Sequence, residues 1–206
     1  MDTIQQNNMP DNTNIVQSKP SKFKYSLKDI RILLPFLIVL ASSLAMIISL
    51  LLPYATACDS YKEYLNQAND SSFAEIGILG KNLINISMVR YARIYAYFSK
   101  ALLGSNWGFF YTGIVAAIGL FSLLALLFSI FKKPIPIMIF DVFAFIIFQI
   151  QSWDYTDRGI IGNSHYTFGT AYYVFYIASV FLFIGAIWLL VSEIVIKRKI
   201  TKAQTN

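Results

Sequence analysis

The segment GFFYTGIVAAIGLFSLLALLFSIF (residues 108–131) carries no charged side chain, and Lys132-Lys133-Pro134-Ile135-Pro136 follows it at once. A second apolar run, Ile135 to Ile150, begins inside that insert. A helix needs roughly 20 apolar residues to cross the ~30 Å hydrocarbon core of a bilayer, so the first run is long enough to span. The insert is too short and stiff for anything but a tight turn, which makes the two runs an antiparallel pair. Working outward, a further run covers Ile32 to Leu52 and closes on Pro53-Tyr54, and another covers Ala171 to Ile196 and closes on Lys197-Arg198-Lys199. The pattern predicts four spans.

Composition agrees. Hydrophobic residues make up 56% of the chain and charged residues 14%, with a mean hydropathy of +0.55. Soluble domains carry about 25% charged residues. A soluble enzyme, a disordered chain and a disulfide scaffold are therefore excluded. Cys58 is the single cysteine and His165 the single histidine, so no intrachain disulfide forms. The two alone cannot supply the three or four ligands of a zinc site. No cofactor and no metal is expected. The net charge of +6 gathers at the ends of apolar runs, which reads as membrane orientation; no nucleic-acid partner is expected.

The fold class expected is all-α: a polytopic membrane protein, a four-transmembrane-helix bundle with a small helical extracytoplasmic subdomain. Residues 1–18 read as a disordered cytoplasmic tail, and 19–31 as a basic juxtamembrane segment interleaving Lys19, Lys22, Lys24, Lys28 and Arg31 with aromatic residues. The first span takes 32–54, with Pro35 in its first turn, where a missing N–H costs little. An extracytoplasmic loop takes 55–107, with a short helix from Ser60, a turn at Asn69-Asp70-Ser71-Ser72, breaks at Gly77 and Gly80, and an amphipathic helix over about 81–103. The second span takes 108–131, a cytoplasmic turn 132–134, the third span 135–153, a second outer loop 154–170, the fourth span 171–196 and a cytoplasmic tail 197–206.

A cleaved signal peptide is the rival for the first run. Ala55-x-Ala57 resembles a cleavage site and Thr56-Ala57-Cys58 a partial lipobox. A long polar tail precedes the basic segment, however, and the run exceeds the usual 7–15 apolar residues. The run is read as a retained span.

Small residues suggest the contact faces: Ala41, Ala45, Ser42 and Ser49 in the first span, and Gly113, Ala117, Gly119, Ser122, Ala125 and Ser129 in the second. Trp107, Trp153, Tyr172, Tyr173 and Tyr176 fit an outer aromatic belt or, alternatively, a ligand mouth. Basic residues concentrate in the N-terminal segment, at Lys132-Lys133 and in the C-terminal tail, whereas Lys62, Lys81, Arg90, Arg93, Lys100 and Arg158 are dispersed. The positive-inside rule then puts both termini in the cytoplasm.

Four kinds of position invite a functional reading. Asp141 lies about 9 Å into the third span at 1.5 Å per residue, and an ionisable group at that depth faces the bundle or a water-filled cavity. It is read either as a proton or cation relay with Gln149 two turns further on, or as a packing group bound to a rim base, a serine or the backbone. Arg90, Arg93, Tyr97 and Lys100 form one arc of the amphipathic helix together with Asn82. That arc suits lipid headgroups, the loop's own short helix, or a partner. Glu193 and Lys197 have the i,i+4 order of a routine ion pair. His165 has Asp157 near it in sequence, but no G-x-S-x-G, H-E-x-x-H or GxxxxGK[ST] accompanies it, so no enzymatic activity is expected. Two N-x-S sequons, at Asn69 and Asn85, fall in the first outer loop.

Four spans, cytoplasmic termini, a long first outer loop and a short second one resemble the outline of claudins and tetraspanins. Cys58 alone cannot form their paired loop cysteines, and Cys-Cys-Gly is absent, so the chain is assigned to neither. The expected role is that of an accessory or interaction subunit of a membrane complex. The alternative is a small homo-oligomeric transporter or channel using Asp141. The lipid bilayer, a membrane-protein partner or self-association are the partners expected. The abundance of Ile, Lys, Asn and Tyr hints at an AT-rich genome and so at a bacterial plasma membrane.

Overall fold

The computed structural model describes residues 30–67, 80–104 and 107–205. The tail 1–18, nearly all of the basic segment 19–31, the Asn69–Ser72 turn with its sequon, Gly77, Asn106 and the side chain of Trp107 lie outside the described residues. Six α-helices and three strands are described: α1 (Ile30–Ser49), β1 (Pro53–Ala57), α2 (Asp59–Gln67), β2 (Asn85–Ser87), α3 (Met88–Leu103), α4 (Trp107–Ile130), α5 (Pro134–Asp157), β3 (Tyr166–Phe168) and α6 (Thr170–Thr205). Helices α1, α4, α5 and α6 are long and apolar enough to cross a membrane. They pack as a ring, each touching the next in the order α1, α4, α5, α6 and back to α1, while α3 lies on α4.

The tightest seam is α1 against α6. At Gly185 a Cβ would stand 2.9 Å from Val39 Cγ2 and 3.1 Å from Ile38 Cγ2, so the missing side chain lets the two backbones approach. Ser42 and Ser49 of α1 and Ser122, Ala125 and Ser129 of α4 are buried, as their spacing predicts. Ala41 and Gly113 instead face outward, with nothing within 4 Å of a Gly113 Cβ. At the turn, Lys132 adopts a φ of 53° and its Nζ sits 5.0 Å from the centre of the Phe36 ring of α1. This turn end therefore gathers the start of α1, the α4–α5 connection and the end of the bundle in α6.

The opposite end carries the sheet, and there the all-helical expectation needs correction. Strand β1 is central in an antiparallel sheet of order β2-β1-β3, with Ala55 opposite Ile86 and Phe168. Pro53-Tyr54, assigned to the end of the first span, open this strand. The cleavage-like Ala55-x-Ala57 is its buried face, because alternate residues of a strand point the same way. Residues 81–87, expected as the start of the amphipathic helix, form a 3-10 turn (Gly80–Leu83) and then β2. The helix begins only at Met88, capped by Ser87, whose Oγ accepts from the Arg90 N–H at 3.3 Å. The sequon serine is thus a helix cap.

Three further boundaries move: α5 runs on through Asp157, taking residues 154–157 from the start of the expected second outer loop, and α1 and α6 also change. Helix α1 starts at Ile30, which puts Pro35 in the second turn, where it removes one backbone hydrogen bond. Helix α6 runs on through Thr205, because the expected tail holds no Pro or Gly and is rich in helix-favouring Lys, Arg and Ala.

Candidate functional site

Large side chains from all four long helices are buried at the centre of the bundle. Val39 and Met46 of α1, Ile118 of α4, Ile137 and Phe148 of α5, and Leu182 of α6 are all fully buried. Phe148 and Phe175 stack face to face at 3.9 Å across the α5–α6 seam.

Above them an aromatic layer closes the sheet end. A β-bulge in β1 between Pro53 and Ala55 turns Tyr54 inward, as bulges commonly re-aim one side chain. Its ring meets Phe148, Tyr155 and Phe168 edge-on at 5.8–5.9 Å, and its hydroxyl donates to Ser152 Oγ at 2.8 Å. Ser152 in turn donates to the Phe148 carbonyl at 2.8 Å. Burial pushes the Tyr54 phenol above its ordinary range, so it remains a neutral donor. Tyr155 accepts from Gln151 Nε2 at 2.8 Å and stacks with Tyr111, which packs against Tyr95 of α3. Tyr111 donates to Asp154, and Asp154 pairs with Arg158 at 2.9 Å. Sheet, α3 and bundle are thus joined through one continuous set of rings. Tyr172 and Tyr176 belong to this layer, whereas Trp153 and Tyr173 are exposed.

Asp141 is buried beside the axis. Ser179 of α6 donates to its Oδ1 at 2.8 Å, so a serine on the neighbouring helix fills the partner position. The carboxyl also lies at the floor of a cavity of about 290 Å³ between α5 and α6, walled by Val142, Phe145, Val180, Phe183 and Ile184. Four of those five walls are exposed, so the cavity opens onto the bundle's outer flank. Gln149 is not brought to Asp141. Eight residues along a helix turn a side chain by about 80° as well as two turns onward. Gln149 is exposed and accepts instead from the Tyr176 hydroxyl.

The basic arc holds from Arg90 on. Arg90, Arg93, Tyr97 and Lys100 are exposed on α3, and its sequence contains no acid. Asn82 reaches the arc differently, its carbonyl accepting from Arg90 Nη1 at 3.0 Å. Serine again provides the joint to the bundle: the Gly108 N–H donates to Ser99 Oγ at 2.9 Å. At Gly108 any Cβ would fall on the Ala96 backbone, so only glycine allows α3 and α4 this close.

Elsewhere the polar residues are bound into structure. His165 is exposed, packs edge-on against Tyr61 at 4.8 Å, and donates its backbone N–H to Asn163 Oδ1 at 2.8 Å. Tyr166 Oη donates to the Leu83 carbonyl at 3.0 Å, and burial raises its phenol to about 12. Glu193, largely covered, and the exposed Lys197 stand 4.0 Å apart as an ion pair. Among the described residues, no three of His, Cys, Asp and Glu come close enough to share a metal. The layer around Tyr54 escaped the sequence reading. Its only local signal is the run of tyrosines at the starts and ends of apolar segments.

Compared with protein-family models, curated proteins and solved structures, the chain finds no match, so the functional reading rests on its own residues.

Proposed function

We propose that this chain is a multi-pass protein of a plasma membrane, non-enzymatic, and an accessory or interaction subunit of a membrane complex. The observation that carries this reading is the filled axis under the Tyr54 layer: a monomer packed in this way offers no conduit. Surface specialisation supports it. The sheet end presents the basic face of α3, the exposed Tyr64 of α2 and the short β2 and β3 edges, which are suited to binding. A cytoplasmic turn end, with the sheet end outside, is supported by the basic residues Lys132, Lys133, Lys197, Arg198 and Lys199. The composition bias toward Ile, Lys, Asn and Tyr fits a bacterial cell membrane. Cross-linking in native membranes, mild extraction and mass determination test the reading. A stoichiometric second protein supports it, and a chain that extracts alone contradicts it.

A second reading is favoured by one observation. Asp141 opens onto the α5–α6 flank and not onto the axis, so an ion path through it would run between copies of the chain. In that case the extracted complex is a homo-oligomer, and Asp141→Asn abolishes cation or proton flux in reconstituted vesicles while leaving assembly intact. Unchanged flux removes Asp141 from any transport role.

A further inference from the structure

Between α3, the first half of α4 and the end of α1 lies a second cavity, of about 490 Å³. Its floor and walls are Ala92 and Ala96 of α3, Phe109, Ala116 and Gly119 of α4, and Leu50 just past the end of α1. The run of small side chains hollows the surface; at Gly119 a Cβ would still stand 3.4 Å from Leu50. From Phe109 to Gly119 the groove extends about 15 Å at the helical rise, the depth of one leaflet of a ~30 Å hydrocarbon core. Arg93 is the single charged residue lining it. Its guanidinium is exposed and has no ion-pair partner among the described residues. Phe109 stands at the start of the apolar span of α4 (Gly108–Ile130), so the Phe109 end of the groove lies at the level where acyl chains give way to headgroups.

We propose that this groove is a binding site for an anionic phospholipid. Arg93 holds the phosphodiester, whose oxygens match the planar guanidinium fork. One acyl chain lies over Ala116 and Gly119 toward Leu50. The preference for a negatively charged headgroup follows from α3, which adds Arg90 and Lys100 to Arg93 and carries no acid. Lys100 stands two turns from Arg93, on the same side of the helix. An apolar groove with one cation at its headgroup end suits a lipid better than a polypeptide, which would need donors and acceptors along its length. The inference does not depend on a protein partner: the cross-linking result stands or falls without it.

The test uses the full chain, stripped of lipid, reconstituted in vesicles of phosphatidylcholine and phosphatidylglycerol, re-extracted and weighed by native mass spectrometry. The wild type is expected to retain phosphatidylglycerol in preference to phosphatidylcholine. Arg93→Gln should cut that preference about tenfold, the scale of one charge-assisted hydrogen bond, and Arg93→Lys should restore part of it. Ala116→Phe, which fills the groove from an outward-facing position, should remove retained lipid of both kinds. Thermal unfolding of each variant separates these losses from misfolding, and Arg93→Gln alters only an exposed side chain. Equal retention of both lipids by the wild type, or retention unaffected by Arg93→Gln and Ala116→Phe, overturns the proposal. So does a retained polypeptide that replaces the lipid.

Discussion

The axis of the bundle and its flanks are built to opposite rules. Along the axis, large side chains from four helices are buried together and Tyr54 is folded down over them, and the buried polar groups are bound to the tyrosines: Tyr54 donates to Ser152, and Gln151 donates to Tyr155. On the flanks lie two hollows, each with one ionisable residue: Asp141 among large apolar side chains between α5 and α6, and Arg93 among small ones between α3 and α4. A transport protein needs its charged groups where solute passes. Here they sit on the outer flanks of the bundle, and that placement argues for work done at the periphery.

The largest effect should come from opening the seal. Tyr54→Ala removes a fully buried ring and is expected to lower stability by about 3–5 kcal/mol, read as thermal unfolding in mild detergent. A loss below about 1 kcal/mol would mean that the layer is ornamental to the fold and that the contrast with the flanks is overstated. Gly169→Ala comes next. Its Cβ would collide with the Pro53 carbonyl, forcing β3 away from β1 at the point where Gly169 N–H donates to the Tyr54 carbonyl at 2.7 Å. The expected cost is about 1–3 kcal/mol, with faster proteolysis at the sheet end as the second readout. Tyr54→Phe keeps the ring and removes the bond to Ser152, so roughly 1 kcal/mol should be lost; a larger loss would assign the seal to hydrogen bonding over packing. Ala116→Phe on the flank should change unfolding by less than about 0.5 kcal/mol. A cost comparable to Gly169→Ala would show that the flank is structural too.

What could be read from the sequence follows the same division. The four apolar helices, their small-residue faces apart from the outward Ala41 and Gly113, and the basic arc of α3 from Arg90 on are periodic patterns within one element, and these survive in the fold. The sheet is not of that kind. β2 and β3 have three residues each, too few to show alternation, and β1 pairs with β3 across more than a hundred residues of chain. The one local trace was Ala55-x-Ala57, which imitates a cleavage site because both patterns require small residues at alternate positions. Asp141 was legible as a buried acid, and a serine stood among its possible partners. That the serine is Ser179 depends on how α5 and α6 are set against each other, which no single-helix pattern records. Gln149 was misplaced by counting turns without the residual rotation.

The most direct test of the closed axis is thiol accessibility in native membranes, with Cys58 replaced by Ala and single cysteines introduced at Ile118, Leu182 and the exposed Tyr64. A water-soluble thiol reagent should modify the cysteine at 64 and leave those at 118 and 182 untouched from either side. Modification of 118 and 182 at rates close to that of 64 would mean that water fills the axis, and the account of a sealed, peripherally acting bundle would be wrong.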